Sequence, residues 1–255
     1  MKKTLISVAL AGMTLMPALA TYNDDVAVPY APSISHVSSV SERAEYIATR
    51  TLSRIKSRAA QLIRERIRSL ESNSSAINQS KLTVEQKAAL VSIINTNISG
   101  LTTLGASIAT STDATSTKAL VSSIYTNFRI YGVLIPQIRL EKRIYDLQNH
   151  ATRLSDVFIK TQTKINEYKG KGKDVTVWQK SLDDAKVLVA VDLSKLSTLM
   201  DKTKALKPSD YGTTSKATID AVNLGIKEVA RDYNSIQKTL RKPYTLKNVT
   251  ATSSP

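Results

Sequence analysis

Two histidines are the side chains of this sequence whose usual pKa best suits proton transfer near neutral pH. His36 lies among prolines and serines, a poor place to hold a fixed geometry. His150 follows Asp146 by four residues, so the two side chains would share one helix face, and Ser155 is close in sequence. A Ser–His–Asp triad also needs an oxyanion hole and a positioned nucleophile, and no sequence motif supplies either. We therefore predict a surface pair of His150 and Asp146 and no triad.

The remaining acidic residues give no stronger catalytic signal. Asp183 and Asp184 are adjacent on a predicted helix, so their side chains point about 100° apart and do not form a shared acid–base pair or a metal clamp. The sequence contains no HExxH, P-loop, EF-hand or GxGxxG motif. These observations predict a protein that binds and does not catalyse, with no catalytic residue, metal or cofactor.

Arginines between residues 41 and 71 give the strongest chemical signal. A rotation of 100° per residue places five of them within an arc of about 80° on one helix face, with a sixth at its edge. Guanidinium groups bind phosphate and carboxylate in fork geometry, so this face predicts an anion-binding surface. The candidate residues, called the arginine stripe below, are Arg43, Arg50, Arg54, Arg58, Arg64 and Arg68.

Two other interpretations of the arginine stripe stay open from the sequence. Charged runs are commonly solvated helix faces, and Glu65 and Glu71 are close enough in sequence to act as local ionic partners. A basic amphipathic helix also suits an anionic lipid surface, on which it would lie flat.

The first twenty residues have the three parts of a secretory signal peptide. Two lysines follow the first methionine, a mostly apolar run extends from Leu5 to about Leu15, and Ala18 and Ala20 are small residues at the cleavage positions. The apolar run is shorter than the ~20 residues of a membrane-spanning helix. We therefore predict a signal peptide at residues 1–20 and an exported protein that is periplasmic, envelope-associated or extracellular.

Composition supports an extracytoplasmic binding protein. The 36 lysines and arginines against 21 aspartates and glutamates give a net charge of +15, which attracts anionic polymers and anionic lipid surfaces. Nucleic acid is a poorer partner, because an exported protein rarely meets it. The absence of cysteine excludes disulfides, thiolate metal sites and a lipid anchor on a cysteine after the signal peptide.

Hydrophobic periodicity predicts an elongated antiparallel all-α bundle of about five coiled-coil-like helices over residues 41–241. An extended leader is expected at 21–40 and a disordered tail at 242–255. The serine-rich run after Glu71 is expected to end the first helix. Thr83 and Gln86 have the spacing of a capping box that opens the second.

The later helices are predicted from breakers and stripes. Gly132 and Pro136 interrupt the third helical region, at about 118–169, and predict either a helix kink or a new helix from Pro136. The glycine-containing turn at 170–172 favours an antiparallel hairpin with the fourth helix, whose core stripe is expected to include Leu193. Over residues 219–240, apolar residues follow one another at alternating spacings of three and four, which predicts coiled-coil packing. The partner helix of such a seam could belong to this chain, to a second copy or to another protein.

Two short patterns resemble known proteins. The segment from Leu82 through Gln86, together with Phe128-Arg-Ile-Tyr-Gly-Val-Leu-Ile-Pro136-Gln137, resembles a group of uncharacterised exported helical proteins of bacteria over about residues 80–240. That resemblance implies export and an all-α fold and lends no activity. Leu82-Thr83-x-x-Gln86 is also similar to the LTxxQ motif of periplasmic stress chaperones, which usually carry it twice.

These observations leave three classes of function, in decreasing order of support. The first is a structural or interaction protein of the envelope that binds anionic wall polymer or lipid. The second is an ATP-independent holdase with an apolar client surface. The third is a hydrolase in an unfamiliar helical scaffold, which would need a pocket where His150 or paired carboxylates converge.

Overall fold

The computed structural model describes residues 40–241, and every regular element within them is helical. The predicted all-α fold of antiparallel helices is confirmed, and residues 40–241 contain no strand. The elements are α1 (Val40–Asn78), α2 (Val84–Thr110), α3 (Ala114–Thr126), a π-helix (Ile130–Leu134), α4 (Ile135–Gly170), α5 (Thr176–Lys204), a 3₁₀ turn (Pro208–Asp210) and α6 (Ser215–Arg241).

The chain divides into two units, Met1–Ile47 and Ala48–Pro255. In the first unit the structure describes only the helical residues 40–47, which are exposed apart from the half-buried Tyr46. The predicted signal peptide (1–20), nearly all of the predicted leader (21–40) and the predicted tail (242–255) lie outside the described residues. All buried residues described below belong to the second unit.

Two hydrophobic clusters stabilise the second unit. The first joins α1, α2, α3 and the π-helix, and its fully buried members include Leu70, Leu90 and Ile124. The second joins α4, α5 and α6. Helix α4 contributes to both, because Ile138 packs in the first cluster and the helix from Leu140 onward packs in the second. This single helix therefore runs through both parts of the core.

Helix ends follow local sequence signals in several places. Thr83 Oγ1 accepts from the backbone N–H of Gln86 at 3.3 Å, and the Gln86 side chain accepts from the Thr83 N–H at 3.1 Å, which is the predicted capping box. Gly172 has φ +69° in the predicted turn between α4 and α5, where a side chain would be strained. The predicted helical hairpin of α4 and α5 is present.

The prediction that α1 ends at the serine-rich run after Glu71 is wrong. Helix α1 continues through that run to Asn78. Ile77 is buried in the first cluster, and the Asn73 side chain donates to the carbonyl of Ser69 at 2.7 Å, within the helix. Burial of an apolar side chain thus outweighs the weak helix propensity of Ser and Asn, which costs only tenths of a kcal/mol per residue.

The third helical region consists of three elements. After α3 the chain makes a π-helix that contains Gly132, and α4 then begins at Ile135 with Pro136 in its first turn. A proline is tolerated there because its missing N–H would have had no partner within the helix. Helix α4 thus follows the π-helix directly, and the sequence-based choice between a kink and a new helix at Pro136 stays a prediction.

Candidate anion-binding site

The second unit contains five of the six arginine-stripe residues, Arg50, Arg54, Arg58, Arg64 and Arg68, and all five are exposed on α1. The buried residues of the same helix are Ala59, Ile63, Arg66, Leu70 and Ile77, which fall on the opposite side of a 100° rotation. Burial of that face in the first cluster turns the arginine stripe towards solvent. Arg43 is also exposed but belongs to the first unit.

Glu65 and Glu71, the two acidic residues expected to pair with the stripe, do not pair with its arginines in the second unit. In the described part of the chain, neither Glu65 nor Glu71 lies within ion-pair distance of an arginine. Glu65 Oε1 instead accepts from Gln61 Nε2 at 3.0 Å, and Arg58 Nη1 donates to Gln61 Oε1 at 2.8 Å. The local ion pairs of Glu65 and Glu71 that the sequence allows are therefore not formed.

Helix geometry gives the stripe two doublets. Arg50 and Arg54 are one turn apart, as are Arg64 and Arg68, so the side chains of each doublet project side by side. Arg50 and Arg68 lie about 27 Å apart along the axis, at 1.5 Å per residue. This arrangement suits a surface or polymer that presents several negative groups and suits a single small anion less well.

Arg66 is a residue that the sequence argument left out of the site. Its side chain lies on the core face of α1 and is only 7 % exposed. Nη1 donates to the carbonyl of Leu62 at 3.0 Å, and the guanidinium carbon lies 5.1 Å from the Tyr125 ring centre and 5.6 Å from the Tyr131 ring centre. Its helical register could have revealed this burial, because Arg66 lies on the same face of α1 as the buried residues Ala59, Ile63 and Leu70.

Gly132, one of the two predicted kink residues, packs against the same tyrosine ring as a second arginine. The Arg129 guanidinium carbon lies 4.3 Å from the ring centre of Tyr211. The same ring packs on Gly132 so closely that a Cβ there would lie 2.4 Å from one of its carbons. A side chain at Gly132 would therefore displace the half-exposed ring of Tyr211, while Pro136 lies in the first turn of α4.

The predicted surface pair of His150 and Asp146 is wrong, and these two side chains do not meet Ser155 either. Asp146 pairs with Lys142 at 2.7 Å, and Ser155 Oγ donates to the carbonyl of Ala151 at 3.3 Å. His150 Nε2 lies 2.7 Å from Gln237 Nε2, and its ring packs edge-on against Tyr233 at 5.4 Å between centres. Burial lowers the pKa of His150, and Arg153 adds to that shift.

Other acidic residues lie in ordinary surface pairs. Asp184 pairs with Lys180 at 2.7 Å, and Asp183 lies 3.6 Å from Lys186. Within residues 40–241, no three His, Cys, Asp or Glu side chains are grouped closely enough to hold a metal ion.

The α4–α5–α6 core contains a carboxyl group where a leucine was expected. Asp192 is 2 % exposed and Leu193 is 40 % exposed, so the prediction of Leu193 as a core residue is wrong. Burial, strengthened by the charge of Asp232 and opposed by Lys195, raises the pKa of Asp192 to about 6.

A buried tyrosine accompanies this carboxyl group. Burial and the charge of Asp192 raise the pKa of the fully buried Tyr233 to about 12. Neither Asp192 Oδ2 nor the Tyr233 hydroxyl has a hydrogen-bond partner in the described chain. These two polar groups are thus held in the core at a cost in stability.

Comparisons of the chain with protein-family models, curated proteins and solved structures gave no match. Among residues 40–241, no helix combines the length and the apolar character needed to cross a membrane.

Proposed function

We propose that this protein binds the phosphate or carboxylate groups of anionic envelope material through the arginine stripe of α1. The observation that carries the proposal is the exposure of five arginines on a face that Glu65 and Glu71 leave unneutralised. Guanidinium groups are suited to this role because they stay charged and donate paired hydrogen bonds.

The chemistry of the stripe favours a multivalent partner. Each exposed arginine near an anionic surface contributes about 1 kcal/mol, so one contact is weak and four together are substantial. Export is part of this proposal, because it decides which anions the protein meets. An anionic wall polymer and an anionic lipid surface offer the same groups, and the experiment separates them.

The test compares two variants that remove the same charge. In the stripe variant, Arg50, Arg54, Arg64 and Arg68 are replaced by glutamine. In the control variant, four exposed lysines from other helices are replaced by glutamine, and these are Lys118, Lys160, Lys164 and Lys202. Both variants should retain the far-ultraviolet circular dichroism of the parent, because all eight side chains are exposed.

Binding is measured by co-sedimentation with vesicles containing phosphatidylglycerol and, separately, with isolated anionic wall polymer. We expect salt-sensitive binding to at least one of them, lost in the stripe variant and largely kept in the control. An equal loss of binding in the two variants would mean that the overall positive charge, and not the arginine stripe in particular, is responsible for binding. Absence of binding to both materials would refute the proposal.

A further inference from the structure

Two arginine side chains beside the π-helix keep donor groups without acceptors. Arg66 is more than nine-tenths buried, and its Nε has no hydrogen-bond partner among the described residues. Arg129 is half-buried, and its Nε is likewise buried and unpartnered. Neither forms an ion pair with a carboxylate within residues 40–241. Buried donors in proteins are nearly always satisfied, so two orphaned cationic donors at one turn require an explanation.

Aromatic rings account for only part of the stabilisation of these cations. Arg66 lies over Tyr125 and Tyr131, and Arg129 lies over Tyr211, all at cation–π distances. A ring face attracts the guanidinium charge but does not accept the in-plane Nε–H. The three rings are 42 %, 53 % and 48 % exposed, so each presents substantial area to an incoming ligand.

Hydrogen bonds, the π-helix and Gly132 fix the positions of these arginines and tyrosines. Tyr131 is fixed on α1, because its hydroxyl lies 3.0 Å from Ser69 Oγ and donates to the carbonyl of Glu65 at 3.3 Å. Arg129 and Tyr131 are separated by one residue at the start of the π-helix, a rare element that is frequent at functional sites. Gly132 lets the Tyr211 ring approach this turn. Four separate segments therefore form two arginine–tyrosine contacts, Arg66 with Tyr125 and Tyr131 and Arg129 with Tyr211, which adjoin because Arg129, Tyr131 and Gly132 are close in sequence.

We propose that the arginine–tyrosine cluster, formed by Arg66, Tyr125, Arg129, Tyr131 and Tyr211, is a binding site for a small oxyanion, a phosphate or carboxylate group. The oxyanion accepts from the orphaned guanidinium donors after the half-exposed rings that cover them turn aside, and these rings then contact the rest of the ligand. Arg66 lies about 160° around α1 from Arg50, so this site is separate from the arginine stripe. It does not rest on the proposed function of that stripe.

The test starts from the stripe variant, in which the four exposed arginines are already glutamine, so that anions have one less place to bind. Titration calorimetry with inorganic phosphate and, separately, with acetate distinguishes the two oxyanions. Tyrosine difference absorbance reports on the rings during the same titrations. The comparison then adds Arg66→Gln or Arg129→Gln, with Arg139→Gln as the matched control, because Arg139 is an exposed arginine of α4.

We expect saturable binding of one oxyanion with a tyrosine absorbance change, weakened at least tenfold by Arg66→Gln or Arg129→Gln and unchanged by Arg139→Gln. If Arg66→Gln fails to fold, Arg129→Gln decides alone, because its side chain is only half-buried. The proposal is overturned if neither oxyanion binds the stripe variant. It is also overturned if every folded variant binds with the same affinity.

Discussion

Replacing Asp192 by asparagine should stabilise this protein, and increasingly so as the pH rises. The side chain is 2 % exposed, and its pKa in the folded chain is raised to about 6 from an ordinary value of 3.8. A folded carboxyl group with a raised pKa destabilises the fold once it is charged. The loss begins as the pH rises through about 3.8 and is complete above about 6.

The size of the effect follows from the two pKa values. A difference of about two units corresponds to about 3 kcal/mol between the fully protonated and fully charged states. Asparagine has nearly the shape of the protonated carboxyl group and carries no charge. We therefore expect Asp192→Asn to raise the free energy of unfolding by about 3 kcal/mol at pH 8 and by less than about 1 kcal/mol at pH 4.

Urea unfolding followed by circular dichroism at pH 4, 5, 6 and 8 measures this directly. Asp201→Asn is the matched control, since Asp201 is exposed on the same helix. The difference between variant and parent isolates Asp192, because other groups titrate in both proteins. A buried Asp192 that is charged at pH 8 would be refuted by an Asp192→Asn variant less stable than the parent at that pH. It would also be refuted if the variant changed the free energy of unfolding by the same amount at all four pH values.

Two further predictions concern helix starts and close packing. Gly132→Ala should lower the free energy of unfolding by about 1–3 kcal/mol, because its Cβ would lie 2.4 Å from a carbon of Tyr211. The control Gly170→Ala should be nearly neutral, because a Cβ at Gly170 meets no atom within 4 Å. Equal urea midpoints of the two variants would contradict this packing. Thr83→Ala should cost about 1 kcal/mol in the same assay by removing the acceptor for the Gln86 N–H, and an unchanged midpoint would mean that the capping box contributes nothing.

Helices and their main stripes could be predicted because apolar spacing and end signals agree. The predicted stripe of α6, from Val222 through Tyr233 to Leu240, is buried as expected. The Thr83–Gln86 capping box depends only on neighbouring residues, so its sequence spacing sufficed. Local chemistry of this kind is visible without knowledge of the packing partners.

Residues that break the hydrophobic pattern were not predictable in this way. The apolar pattern selects Leu193 for the core of α5, yet the step from Val189 to Leu196 passes through Asp192. Arg66 is buried for a related reason, since tyrosines from distant segments cover its guanidinium group. Both positions are fixed by neighbours far apart in sequence, which a single helix pattern does not contain.

For the exposed side of α1, the sequence predicted which residues share the face but not which side chains pair there. Rotation alone placed the arginine stripe opposite the core, and burial of Ile63 and Leu70 agrees with it. Whether Glu65 and Glu71 pair with the arginines depends on side-chain conformations, which the sequence leaves open. The structure gives Glu65 a partner in Gln61 and shows no ion pair of Glu65 or Glu71 with an arginine among the described residues.

The central claim, that the arginine stripe binds anionic envelope material, is tested most directly by one affinity ratio. The affinity of the purified protein for phosphatidylglycerol vesicles or for wall polymer, whichever binds more tightly, is compared between the stripe variant and the four-lysine control. At about 1 kcal/mol for each arginine, the stripe variant should bind roughly 100-fold or more weakly than the control. Equal affinities of the two variants would contradict the claim.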